Sequence, residues 1–452
     1  MVKIQNNSEL VKSSALIIGG GIAGIFSAVL LQEKGYKVSL IEKRKFLGGR
    51  TYSTKKTESV IDNGQHLLMG CYDKLLNLLT KIGSIQKVNF QDEFYVKIIA
   101  KNGKTGIIKD SKYFPNGMML LLSLLKYPYI SSQEKLRIIF VLLKIKFINR
   151  NNKKFQNISF FEWLKRNGQS DKTINNFWNL VILPTLNDHV KDVSADMGLM
   201  VFQESILKGN KYAKLGFPIY TLDDIVADPS RKHIEGNGGE IYLGKSVEKI
   251  LYKDNKVIGV SLKDGSNILA DIVVTAIPPN ALYEILPEQL LAIDFFTNLL
   301  QIKYASIVNI YLWLNKKIMK DLFVNIIDSP LQWIFNKSPT NDTNQLLNIS
   351  ISSGEELLSK SKNEIIDLVS QELQEIFPEF QLGFVERFKI IKERKATFRC
   401  SPNSQKYRLT NNTPVDNLYI TGDWVDTGWP STMESAALSA YNAIHLVTPV
   451  NK

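Results

Sequence analysis

The chain has little cysteine and little histidine, with two and four residues among 452. Cys71 and Cys400 show no CxxC spacing, which argues against a disulfide framework and against a cysteine metal site. Two cysteines in a chain of this size fit a reducing compartment, and the cytoplasm is the expected location. His66, His189, His233 and His445 are scattered, and no metal site is expected. Long apolar runs are also lacking. Ala15–Leu31 comes nearest, but it carries four glycines, three of them consecutive, and reads as strand, tight turn and helix. No other stretch reaches the roughly 18 uncharged apolar residues of a spanning helix. An integral membrane protein is therefore not expected, while a peripheral one stays open. There is no internal repeat, no low-complexity linker and no nucleic-acid motif, so nucleic acid is not an expected partner.

What is present is ample core material. Hydrophobic residues make up 44% and charged residues 22% of a chain long enough for two or three domains. Lysine and arginine number 56 against 44 aspartates and glutamates, a net charge of +12. Two readings stand: a solvated basic surface, or attraction to an anionic membrane leaflet or other acidic partner. Between Lys112 and Asn151 the runs Met118–Leu125 and Ile138–Ile148 are apolar but broken by Lys126, Lys144 and Lys146. They read as amphipathic helices lining a substrate domain, or as a basic, greasy surface dipping into a membrane interface.

The strongest local signal opens the chain. Ala15–Ile18 reads as a buried parallel strand, Ile22–Lys34 as a helix stopped at Gly35, and Lys37–Glu42 as the next strand. Between the first strand and the helix, Gly19-Gly20-Gly21-Ile22-Ala23-Gly24 fits GxGxxG. The first glycine permits the turn, the second lets backbone approach a pyrophosphate, and the third lets helix pack on strand. Glu42, 18 residues past Gly24, is placed to accept hydrogen bonds from ribose hydroxyls. A second glycine turn, Leu47-Gly48-Gly49-Arg50, is placed to bring a bidentate cation to the same pyrophosphate. Gly422-Asp423 follows the last core strand, Leu418–Thr421, and offers a carboxylate for ribityl hydroxyls. The helix Met433–Leu446 would aim its N-terminus at the electron-rich side of an isoalloxazine ring. A plain NAD dehydrogenase needs neither feature, and FAD is the expected cofactor.

Further strands are read at Glu240–Leu243, Val247–Leu251, Val257–Leu262, Asp271–Ile277, Tyr304–Trp313 and across Trp333–Ile351, and a helix at Lys362–Ile376. The expected fold is α/β, a discontinuous, glutathione-reductase-like FAD-binding Rossmann domain with an inserted α+β substrate domain. Residues 1–75, 231–285 and 396–452 are assigned to the cofactor domain. Residues 76–230, partly helical, and 286–395, rich in strand, are assigned to the substrate domain.

These motifs resemble the flavin amine oxidase and carotenoid desaturase superfamily. Within it, Asp62-Asn63-Gly64-Gln65-His66-Leu67-Leu68-Met69-Gly70-Cys71-Tyr72 and the block Gly422–Ala436 are similar to the squalene-associated branch, the hydroxysqualene dehydroxylases. Phe177-Trp178, Leu186-Asn187 and Pro218 ahead of Leu222 share that likeness. The resemblance implies reductive removal of the allylic hydroxyl of hydroxysqualene to give squalene, with hydride from reduced flavin. It implies a lipophilic C30 isoprenoid as substrate. With only one dinucleotide motif in the chain, the electron donor is unidentified. The implied cofactor set is Gly19, Gly21, Ile22, Ala23, Gly24, Glu42, Lys43, Gly49, Arg50, Gln65, Val247, Gly422, Asp423 and Met433, with Val247 offering backbone to adenine. For the proton that the leaving hydroxyl needs, the candidates are His66, which titrates near neutrality or is structural, and Glu434, which favours a helix dipole or faces substrate. A carotenoid-type desaturase, an amine oxidase and a non-catalytic isoprenoid carrier are the alternatives. The expected place is the cytoplasm, with contact to the inner face of the cell membrane open.

Overall fold

The computed structural model describes residues 13–54, 60–111, 113, 118–338 and 343–450. Lys112 and part of the run Trp333–Ile351 lie outside the described residues.

Ser14–Ile18 is nearly all apolar and covered on both faces, the condition under which a parallel strand is stable. It pairs in parallel with Lys37–Glu42 on one side and Ile272–Thr275 on the other; Glu240–Leu243 and Leu418–Ile420 complete a five-stranded parallel sheet. Its strands therefore come from three widely separated stretches of chain. An antiparallel meander, Val247–Lys253, Lys256–Leu262 and Asn267–Leu269, branches off between two of them. The helices Ile22–Glu33 and Met433–Leu446 pack together against the sheet, and Ala437, Ala440 and Ala443 share one buried cluster with Ile25, Phe26 and Val29. Alanine at helical spacing lets two helix backbones approach closely.

A second, seven-stranded sheet runs in the order Val385–Phe398, Tyr304–Leu314, Gln345–Ser352, Trp333–Asn336, Phe323–Ile327, Tyr95–Ala100, Thr105–Lys109. The run Trp333–Ile351 is thus two strands. One face of the sheet is aliphatic: Val308, Ile310, Ile334 and Ile349 pack on the helix Lys362–Ile376 through Ile365, Val369 and Leu373. Because side chains alternate along a strand, the intervening residues form a different face. There Tyr311 stands opposite Asn348, Asn348 opposite Phe335, and Phe335 opposite Phe323. The helices that complete this half, including Met118–Lys126, Ser132–Phe147 and Asn179–Leu186, gather on a core rich in aromatic residues, among them Phe160, Trp163, Trp178 and Phe202. Among the described residues no helix is long and apolar enough to cross a membrane, and no cluster could hold a metal ion.

Candidate functional site

The glycine turn is built by close backbone approach. Gly19 adopts φ +108°, and a Cβ there would stand 2.6 Å from the Ala276 carbonyl oxygen. A Cβ on Gly24 would fall 1.8 Å from the Gly19 carbonyl oxygen. Gly21 differs: its φ of −79° and ψ of 179° are open to any residue, and a Cβ would meet only Gly49 Cα, at 3.8 Å. Gly21 heads the helix Ile22–Glu33, and no side chain caps it. The first hydrogen bond in that helix runs from Ile25 N–H to the Gly21 carbonyl at 2.9 Å. The amides of Ile22, Ala23 and Gly24 therefore face forward as donors. The second glycine turn docks here through Gly48 N–H to Gly20 O at 2.8 Å, and Arg44 donates to the Gly49 carbonyl at 2.8 Å. An uncapped helix start lined by two glycine turns fits a pyrophosphate.

Glu42 is buried at the end of its strand, and its carboxylate accepts the amides of Gly20 (2.7 Å) and Arg44 (2.8 Å). Lys43 beside it is exposed. Lys245 N–H bonds the Glu42 carbonyl at 3.1 Å, which brings the segment leading to Val247 alongside. Three separated parts of the chain thus converge on the place where the adenosine end of FAD would lie.

Arg50, assigned to the pyrophosphate from the sequence, is also engaged within the chain. Its guanidinium pairs with Asp423 and also donates to the Ala396 carbonyl at 2.6 Å. The second oxygen of Asp423 accepts Ser431 Oγ. A buried carboxylate needs such partners, and folding brings these two charges together from 373 residues apart. Gly422 is tied to the closing helix by its amide to Ser439 Oγ at 2.8 Å. Met433 opens that helix, which Thr432 caps through Ser435 N–H at 3.0 Å.

The two acid candidates come out differently. Glu434 is buried and accepts the amides of Lys74 (3.0 Å) and Leu75 (2.8 Å), so it caps the helix Asp73–Lys81 and not its own. Burial pushes its pKa up to about 7 against those bonds. The unfolded chain keeps the ordinary value of 4.5, so the folded state holds this proton more tightly. The stability gained is complete at acid pH and lost as pH rises through 7. Glu434→Gln cannot titrate. Wild type should therefore lose about 3 kcal/mol relative to this variant between about pH 4.5 and pH 8. Thermal melts of both proteins across that range check this; a pH-independent difference contradicts it.

His66 lies within the loop Asn63–Leu67, its Nε2 3.2 Å from Asn63 Oδ1. Burial first, then Arg50 and Lys337, hold its pKa down to about 4. At neutral pH the imidazole is uncharged, so the easily released proton expected of it is missing. Asp62 is buried, accepts Ser53 Oγ (2.8 Å) and the Leu222 amide (2.9 Å), and serves structure.

Across from this loop stands the mixed face of the large sheet. Tyr311 donates to the Asp62 carbonyl at 3.0 Å, and a Cβ on Gly64 would touch the Asn309 amide at 2.5 Å. Lys337 continues the alternation of Trp333 and Phe335, and its Nζ donates to Gln65 Oε1 at 3.2 Å. Burial lowers its pKa from the ordinary lysine value, with Asp62 opposing. Phe323 stacks on Trp333 (5.8 Å between centroids) and Phe335 (6.2 Å), and Phe217 stacks on Phe323 (5.1 Å). On the same sheet face, Asn309 Oδ1, Asn325 Oδ1, the Asn348 amide and Trp333 Nε1 are buried without a hydrogen-bond partner in the protein. So many unpaired polar atoms on one face are unusual in a core. The sequence reading missed Lys337, Asn309 and Tyr311; the one available signal was alternation along their strands.

The family model described as flavin containing amine oxidoreductase matches residues 22–444, and the chain belongs to that family. It is an FAD-dependent oxidoreductase of the carotenoid desaturase and amine oxidase group. The chain is 25% identical over 451 residues to a 15-cis-phytoene desaturase from Capsicum annuum, covering 94% of this chain and 76% of that one. It is 22% identical over 446 residues to the 15-cis-phytoene desaturase of Synechococcus elongatus, covering 94% and 93%. Among solved structures, an oxidoreductase from Methanosarcina mazei superposes with a TM-score of 0.75 at 18% identity, over 96% of this chain and 100% of that one. Putrescine oxidase superposes with a TM-score of 0.73 at 14% identity, over 96% and 98%. These structural likenesses carry the fold.

Proposed function

We propose that this oxidoreductase reduces a C30 isoprenoid, removing the allylic hydroxyl of hydroxysqualene to give squalene. The observation that carries the reading is the mixed sheet face, where stacked aromatic rings share one wall with unpaired amides and the Lys337 ammonium. A pure hydrocarbon would leave these polar groups unsatisfied, at a cost of about 1–3 kcal/mol each. A long apolar chain with one oxygen function suits both parts of the wall. A cationic amine would meet a like charge at Lys337.

FAD would be held by the glycine cradle, Glu42 and the Gly422-Asp423 loop, and when reduced would supply the hydride. The chain's own residues have to deliver a proton. Lys337 is our acid: burial makes its ammonium a stronger acid than a free lysine, and Gln65 fixes its direction. Protonation of the hydroxyl releases water and leaves an allylic cation, which the aromatic faces stabilise. Atoms balance as alcohol, proton and hydride giving hydrocarbon and water.

Desaturation of a carotenoid precursor is the second reading, favoured by relatives that match 94% of the chain and are named phytoene desaturases. An anaerobic assay separates the two. Reduced holoenzyme mixed with hydroxysqualene should regain oxidised-flavin absorbance as squalene appears in equal amount. If flavin stays reduced with hydroxysqualene, while oxidised enzyme is bleached by phytoene, the second reading replaces the first.

A further inference from the structure

The helix Ser132–Phe147, started by a Ser131–Glu134 capping box, is apolar on two opposite sides. Ile138, Val141, Leu142 and Ile145 are buried in the core. Leu136, Phe140, Leu143 and Phe147 are exposed, to 64%, 70%, 51% and 81%. At 100° per residue these four fall within an arc of about 60° along the helix. Arg137 and Lys144 flank the stripe on one edge and Lys146 on the other, all exposed. The neighbouring helix Met118–Lys126 adds exposed Leu122, Leu125 and Lys126, and Lys135 Nζ bonds the Leu125 carbonyl at 2.7 Å to hold the pair together. Lys144 donates to Asn167, and no carboxylate pairs with these flanking cations among the described residues. Single exposed apolar side chains are ordinary; a continuous stripe edged by cations that no carboxylate neutralises is not.

We propose that this helix pair docks the protein on an anionic phospholipid bilayer, with Phe140 and Phe147 among the acyl chains and the flanking cations at the headgroups. Charge complementarity selects this occupant. The chain carries a net charge of +12, and lysine stems lie along apolar surface while their ammonium groups reach phosphate. The position also connects to the interior. Tyr127, which follows the first helix, donates to the Asn176 carbonyl at 2.7 Å. Asn176 borders a cleft of about 270 Å³ whose other walls include Leu183, Asn325 and Trp333. Trp333, one wall of that cleft, belongs to the aromatic sheet face. The docking surface does not depend on which isoprenoid reacts.

Flotation of the FAD-loaded full chain tests this. Vesicles of phosphatidylcholine alone are compared with equal parts phosphatidylcholine and phosphatidylglycerol. Wild type should float with the mixed vesicles, and less so as salt rises. Phe140→Glu with Phe147→Glu should weaken partition by at least about tenfold. Lys144→Glu with Lys146→Glu should abolish the preference for anionic vesicles. All four side chains are exposed, so flavin absorbance and melting temperature should stay those of wild type. Wild type that remains unbound on both vesicles overturns the proposal, as does flotation unaffected by the phenylalanine changes. A dimer in sedimentation, dissolved by Phe140→Glu without any vesicle binding, would instead make the stripe an interface between copies.

Discussion

Gly21→Val should give a folded protein that purifies without flavin, whereas Gly24→Val should not fold. The two glycines are three residues apart in one motif, and the structure separates their duties. A side chain at Gly24 would drive its Cβ to 1.8 Å from the Gly19 oxygen and 3.2 Å from Ala276 Cβ. Helix and strand would have to separate, a larger insult than the usual 1–3 kcal/mol of overpacking. At Gly21 the backbone is already extended, and the nearest protein atom to a Cβ is 3.8 Å away. The fold has no need of glycine there; a pyrophosphate resting on the amides of Ile22 and Ala23 does. Flavin content, read from the ratio of flavin to protein absorbance, should drop at least about tenfold, or about 1.4 kcal/mol of binding. Circular dichroism melts should leave Gly21→Val near wild type. Stoichiometric flavin in a folded Gly21→Val protein would remove the cradle from the cofactor site.

Lys337→Met should slow reoxidation of the reduced holoenzyme by hydroxysqualene by about 10²–10⁴-fold, the span of general acid catalysis, with flavin content unchanged. Lys337→Arg should be nearly as slow, because a guanidinium keeps the charge but does not release its proton. In wild type the rate should fall as pH rises through a value below the 10.5 of free lysine, because burial lowers the pKa. Stopped-flow traces at several pH values measure all three. A Lys337→Met enzyme at full rate would leave Lys337 with only the anchoring of Gln65.

How far the sequence could be read depended on how local the determinant was. The helix Lys362–Ile376 was readable to its ends, since Ser361 and Glu364 form a capping box within one turn. Lys37–Glu42 and Met433–Leu446 were equally readable, the latter introduced by Thr432. The strand Val385–Phe398 is not legible in the sequence because Glu386, Arg387, Lys389, Lys392, Glu393, Arg394 and Lys395 break any apolar pattern. It lies at the edge of the sheet, where only one neighbour, Tyr304–Leu314, demands pairing. Arg50 and Asp423 were each expected at a flavin from the sequence, but their pairing with each other was not legible there.

The sequence by itself determined the nucleotide cradle, the acidic residue that follows it and the family. Turn geometry and helix starts are settled by backbone chemistry within a few residues. Only the tertiary structure decided which groups hold protons. The His66 imidazole is held neutral by burial and by charges 16 and 271 residues away in sequence, and Glu434 caps a helix 360 residues away. Lys337 is one cation among 56 until folding half-buries it beside Gln65. The helix Ser132–Phe147 is apolar on both sides in sequence, and only packing selects the side left facing outward. Proton affinity and exposure are set by what surrounds a group in space, and the chain assembles those surroundings from parts that are distant in sequence.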